Sequence, residues 1–293
     1  MDARHISGAI MSADMIGERT AAGTPFVDVL RARGVLVGIK VDRGLEPLAG
    51  AADGETSTKG LDGLEERCAE YHRMGARFAK WRATLKVDPG AGCPTPAALD
   101  ANCRQLARYA KACQRARLVP IVEPEVLLAG AHTGAEAGAA TARMLGRLCE
   151  EFGREGVDLA ALLLKLQMVL PGSDAPGPRP APDEVAEATL ATFRRSIPAE
   201  VPGVVFLSGG QTEEEATVRL DAIARQARAA GDVPWALSFS YGRALQASVL
   251  RAWRPGQREA EAAAQQVAAR LAAANGAAAR GEYAGPHPSA AGG

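Results

Sequence analysis

The sequence predicts an α/β fold, a parallel sheet rolled into a TIM-type (β/α)8 barrel. Three observations point there. Short apolar or β-branched runs recur along the chain, and stretches of helical periodicity fill the intervals between them. Successive runs start roughly thirty to forty residues apart, about the length of a βαβ unit. Such alternation of strand and helix implies a parallel sheet. Even spacing over roughly 250 ordered residues favours a barrel over an open doubly wound sheet. No Gly-x-Gly-x-x-Gly follows an early run, which weakens a dinucleotide fold.

In chain order, the strand candidates are residues 9–11, 35–41, 78–81, 118–122, 162–169, 204–207 and 235–239. Seven strands are identifiable where the barrel needs eight, and only a handful of residues precede the first. Helices are expected over 61–74, 96–117, 134–151, 182–195, 212–230 and 243–253, with a last long helix over 257–274 packed outside. Thr212 followed by Glu213, Glu214 and Glu215 is a strong helix start, with a capping oxygen and acids at the positive end of the dipole. One domain is expected over 1–280. The Gly-, Pro-, Ala- and Ser-rich tail over 281–293 is expected to be disordered.

Composition narrows the function classes. Formal net charge is zero over 293 residues, so no global basic field favours nucleic acid or an anionic membrane. No signal peptide is visible, and the most apolar run ends at Lys165, so no membrane span is expected. The five cysteines form no paired motif and read as reduced thiols of a cytoplasmic protein. His5, His72, His132 and His287 are scattered, so neither a metal nor another cofactor is expected. Leu207-Ser208-Gly209-Gly210-Gln211 also occurs as a signature of transporter-type ATPases, but the chain has no Gly-Lys dipeptide for a phosphate loop.

Catalytic groups of this fold gather at the carboxyl ends of the strands. Those positions hold Lys40, Lys80 and Arg82, Glu123 and Glu125, Lys165, Ser208-Gly209-Gly210 and Ser240-Tyr241-Gly242-Arg243. The chain has only six lysines, and half of them lie on or at the ends of strands. Lys165 follows Leu162-Leu163-Leu164, a run expected to be buried. A buried ammonium must be paired or titrate low, and a lysine shifted toward neutrality is what imine chemistry requires. From the run alone, a structural ion pair with Glu123 explains Lys165 equally well. Lys80 supplies a second cation, and Glu123 a carboxylate able to shuttle protons; taken alone the two read more readily as an ordinary ion pair lining a polar barrel mouth, and less so beside Lys165. The two glycine loops stand just before helices, where free N–H groups favour an anion, and Arg243 adds charge. Glycine there serves a turn as readily as a phosphate.

The words Gly38-Ile39-Lys40-Val41-Asp42, Gly60-Leu61-Asp62-Gly63-Leu64, Phe78-Ala79-Lys80-Trp81-Arg82, Val119-Pro120-Ile121-Val122-Glu123-Pro124-Glu125, Phe206-Leu207-Ser208-Gly209-Gly210-Gln211 and Ser240-Tyr241-Gly242-Arg243-Ala244-Leu245-Gln246 resemble the class I, Schiff-base fructose-bisphosphate aldolases, in order and at family spacing. The resemblance runs from about Ala9 to Tyr283. It implies reversible cleavage of fructose 1,6-bisphosphate, without metal, to dihydroxyacetone phosphate and glyceraldehyde 3-phosphate, by a cytosolic homotetramer. By resemblance Lys165 is the imine lysine, Lys80 its partner, Glu123 the acid/base of dehydration and Glu125 its neighbour. Lys40 and Arg82 match groups near the distal phosphate. Ser208, Gly209, Ser240, Gly242 and Arg243 match those around the dihydroxyacetone-side phosphate.

Three departures accompany the resemblance. The family's first strand, with its catalytic aspartate, has no counterpart, so the chain is expected to begin just before the second strand and to cleave slowly. The alternative is an impaired homologue that serves as a binding or assembly protein. The family's Leu-Leu-Lys-Pro-Asn-Met becomes Leu163-Leu164-Lys165-Leu166-Gln167-Met168, which replaces a proline and lengthens the amide. The family's C-terminal tyrosine is not matched.

Overall fold

The computed structural model describes residues 4–289. Its elements are β1 (Gly8–Met11), α1 (Phe26–Ala32), β2 (Leu36–Lys40), β3 (Leu45–Pro47), β4 (Thr56–Thr58), α2 (Leu64–Met74), β5 (Phe78–Leu85), α3 (Pro96–Arg115), β6 (Val119–Val126), α4 (Gly134–Glu155), β7 (Leu163–Leu166), α5 (Pro182–Arg194), β8 (Gly203–Phe206), α6 (Glu213–Ala230), β9 (Ala236–Phe239), α7 (Arg243–Ala252) and α8 (Arg258–Ala278). Seven strands pair in parallel in the order β1-β2-β5-β6-β7-β8-β9. Each of the seven predicted runs overlaps one of them. The sheet curls into a TIM-type half-barrel with β1 and β9 at its edges.

Two features escaped the sequence reading. Helix α1 has only seven residues, too few for periodicity to show. Strands β3 and β4 form a three-residue antiparallel hairpin whose first strand is wholly exposed, so no burial pattern marks it.

The alternation of β5 explains how a charged sequence sits in a core. Ala79, Trp81 and Ala83 are fully buried, and the Trp81 ring stacks on Tyr109 of α3 at 5.5 Å. Lys80 and Arg82, one residue out of step, therefore project from the opposite, concave face. Helices cover the convex face with well-marked ends. Thr133 and Glu136 form a reciprocal capping box on α4, and Gly156 ends that helix in the left-handed region. Thr212 and Glu215 cap α6 in the same way, at the expected start.

Strand β6 carries prolines in the middle of a sheet, which is unusual. The N–H groups of Val119 and Leu127 donate toward β5, to Arg77 and Leu85 carbonyls. Successive N–H groups alternate sides, so Pro120, Val122, Pro124 and Val126 face β7. The prolines thus remove rungs on the β7 side alone. Accordingly β5 and β6 pair over eight residues, whereas β6 and β7 pair only at Ile121–Leu163 and Val122–Leu164.

Residues 281–289, part of the tail expected to be disordered, pack against α6 and α8 in this structure. Tyr283 N–H donates to Asp221 at 2.8 Å. Buried His287 meets Thr217 at 3.1 Å, and that hydroxyl also donates to Asn275 of α8. Composition showed the Gly and Pro content of the tail but not the polar slot that receives it. Residues 290–293 lie outside the described residues.

Leu148 of α4 is fully buried. Leu148→Ala is expected to lower stability by about 2–5 kcal/mol, read as a reduced urea midpoint at unchanged m-value. A loss under about 1 kcal/mol would place α4 outside the cooperative core.

Candidate active site

Parallel register sets the charged side chains in line along the rim of the sheet. Lys40 stands opposite Lys80, and Arg82 opposite Glu123. The side chains complete the row. Lys40 Nζ lies 2.7 Å from Asp42 Oδ1, and Lys80 Nζ is 4.0 Å from Asp42 Oδ2 and 2.5 Å from Glu123 Oε2. Lys165 Nζ lies 3.1 Å from Glu123 Oε1. Beside this row, Arg82 Nε pairs with Glu125.

Asp42, Lys80, Glu123 and Glu125 are all buried, while the Lys165 side chain keeps 12% of its accessibility. Burial is the main influence on Lys165 and pushes its ammonium below the ordinary lysine range. The Glu123 carboxylate opposes that shift, and the Lys80 ammonium reinforces it. A desolvated amine thus touches a carboxylate already occupied by a second cation. That carboxylate restrains the downward shift less than an unshared one would.

The other predicted residues gather at neighbouring strand ends. Buried Ser208 follows β8, and the side of Gly209 faces Glu125, since a Cβ there would stand 3.0 Å from Oε1. Ser240 follows β9, its N–H donating to Phe206 of β8 at 2.8 Å. Gly242 caps α7, and Arg243 is its first residue, solvent-exposed at the mouth. Because β8 and β9 are adjacent, the two glycine loops lie side by side ahead of α6 and α7. Exposed N–H groups, a helix N-terminus and a guanidinium suit an anion.

Two residues of the site were missed as functional candidates. Asp42 is the carboxylate between Lys40 and Lys80; its place two residues beyond Lys40 was the available signal. Gln167 accepts from Val126 N–H at 3.1 Å and donates to Thr141 at 2.8 Å, a bridge no local pattern announces. Among the described residues, no group of three or more His, Cys, Asp or Glu side chains could hold a metal ion.

Chemically, an amine with a depressed pKa can add to a carbonyl carbon. An adjacent carboxylate can then pass a proton to the departing hydroxyl, leaving an imine. Comparison with known proteins agrees in kind. A family model for class I fructose-bisphosphate aldolase of glycolysis matches residues 2–293. The cytoplasmic isozyme 2 of fructose-bisphosphate aldolase from Pisum sativum is 51% identical over 282 residues, covering 96% of this chain and 76% of the relative. Aldolase C of Rattus norvegicus is 48% identical over 280 residues, covering 96% and 75%. A crystal structure of Plasmodium falciparum fructose-bisphosphate aldolase, in complex with TRAP and a small-molecule inhibitor, superposes with a TM-score of 0.92 at 45% identity, over 97% of this chain and 80% of that one.

Competitive labelling with acetic anhydride across pH, read by peptide mass, is expected to place the Lys165 midpoint below the ordinary lysine range. Lys80→Met is expected to raise that midpoint, because it removes a cation and leaves Glu123 to Lys165 alone. A midpoint that stays put would show that Lys80 does not act on the amine.

Proposed function

The chain belongs to the class I fructose-bisphosphate aldolase family, and on that premise we propose that it cleaves fructose 1,6-bisphosphate reversibly through an imine on Lys165. The carrying observation is the largely buried Lys165 amine, 3.1 Å from Glu123, whose burial pushes it below the ordinary lysine range.

In this reading the Lys165 nitrogen attacks the C2 carbonyl of the ketose. Glu123 gives a proton to the carbinolamine hydroxyl, which leaves as water. The iminium then draws the electrons of the C3–C4 bond as the C4 hydroxyl passes its proton to Glu123, ionised by the preceding step, releasing glyceraldehyde 3-phosphate and leaving an enamine. Protonation and hydrolysis return dihydroxyacetone phosphate and free Lys165. Lys80 adds to burial in weakening the hold of the resting amine on its proton, and Glu125 fixes Arg82 at the mouth. Ser208, Gly209, Ser240, Gly242 and Arg243 receive the phosphate on the dihydroxyacetone side, and Lys40 and Arg82 the distal one. Support comes from the paired glycine loops at adjacent strand ends and from the cations on the opposite rim.

The reading extends to a homo-oligomer, the tetramer that the family resemblance implies. It also extends to a cytoplasmic location, supported by the names of the pea and chickpea relatives as cytoplasmic isozymes. No helix among the described residues is long and apolar enough to cross a membrane. The alternative of a homologue that only binds is not favoured, since the relatives reported above are all named as aldolases.

Borohydride added with dihydroxyacetone phosphate is expected to leave a reduced adduct on the Lys165 peptide. Lys165→Arg is expected to abolish the adduct and to lower cleavage in a coupled assay by roughly a thousandfold or more. An adduct that persists in Lys165→Arg would assign the nucleophile elsewhere.

A further inference from the structure

Resting on the reading of Lys165 as the imine lysine, we propose that Gln167 is a positioning residue: its amide takes over from the backbone ladder between β6 and β7 just beyond the level where Glu123 meets Lys165. The β6–β7 ladder ends at Val122–Leu164, one residue short of that pair. Pro124, between the two glutamates, has no N–H to offer β7. The next β6 donor facing that way is Val126 N–H, and Gln167 Oε1 takes it at 3.1 Å.

The other end of the amide is held as firmly. Gln167 Nε2 donates to the Thr141 hydroxyl at 2.8 Å, and that hydroxyl donates to the Ala137 carbonyl of α4 at 2.8 Å. Thr141 is buried, so the anchor does not exchange with solvent. Gln167 thus ties three elements: β7, two residues beyond Lys165; β6, one residue beyond Glu125; and the first turns of α4.

On its β5 side Glu123 is held by an unbroken eight-residue register. On its β8 side Lys165 is held by three paired residues. Between these two braced blocks the backbone ladder stops at Leu164, and the next backbone bonds between the two sides come only in the following loops, Ser173 N–H to Leu128 and Asp174 N–H to Gly130; the side-chain bridge spans the interval. Gln167 and Glu125 also line one small cavity with His132 and Gly209, so slack here would admit water beside the Glu125 carboxylate.

The test uses Gln167→Met, which keeps length and loses both hydrogen bonds, and Thr141→Val, which removes the buried anchor far from substrate. For Gln167→Met, kcat is expected to fall about ten- to hundredfold, the scale on which a displacement of about an ångström acts, with KM changed less than about threefold. The Lys165 acetylation midpoint is expected to rise, because burial is the largest influence on that amine and admitted water weakens it. Thr141→Val is expected to move both readouts the same way by less, and the double variant to match Gln167→Met. If Gln167→Met does not fold, Thr141→Val decides alone. A midpoint unmoved in the folded variants, or losses that multiply independently in the double variant, overturns the bridge. The acetylation readout needs no turnover, whereas failure of the parent to trap dihydroxyacetone phosphate on Lys165 would overturn the aldolase reading instead.

Discussion

Three ammonium groups share two buried carboxylates along the rim of the sheet, from Lys40 through Asp42, Lys80 and Glu123 to Lys165. The count leaves a surplus of positive charge in a place poor in water. Neither end of the row has the same remedy. Lys40 is nearly half exposed and keeps its solvation, whereas Lys165 is not and does not. The strain of the surplus therefore falls on Lys165, whose neutral form is favoured by burial and by Lys80. An isolated buried lysine would show a larger shift but have no proton carrier beside it. An unshared Lys–Glu pair would have the carrier but hold the proton on nitrogen. The shared carboxylate sits between those limits.

Maintaining that row demands a stiff frame, because the strength of each contact varies steeply with distance in a dry site. The frame is the parallel register, which sets Lys40 beside Lys80 and Arg82 beside Glu123 without reliance on flexible side chains. Outside the sheet, Trp81 stacked on Tyr109 seals the convex face directly behind Lys80 and Arg82. The same strand thus carries the core and the charge on alternate residues. Proline within β6 is compatible with this plan because it costs hydrogen bonds only toward β7.

Most of this plan was legible residue by residue. Strand positions followed from short apolar runs such as 204–207, since a run buried on both faces needs no alternation to be seen. Lys165 stood out because an ammonium directly after three leucines has few explanations. Ser208-Gly209-Gly210 and Ser240 to Arg243 stood out because glycines gather before helix starts. Asp42 did not stand out, since its place two residues beyond Lys40 marks a shared face but not the burial of the carboxylate. Gln167 was noticed only as a departure from the family word. Its partners, Val126 and Thr141, are 41 and 26 residues away along the chain.

By itself the sequence determined the strand and helix alternation, the sign of the charges at the strand ends and the lysine that directly follows an apolar run. These are consequences of local pattern, because burial and periodicity are written within a dozen residues of one another. The tertiary structure decided which carboxylate is shared, that Asp42 joins the row, where the β6–β7 ladder stops and that residues 281–289 fold back onto α6. Each of those depends on what a distant segment places within about 3 Å, and proximity between distant segments is a property of the packed chain alone.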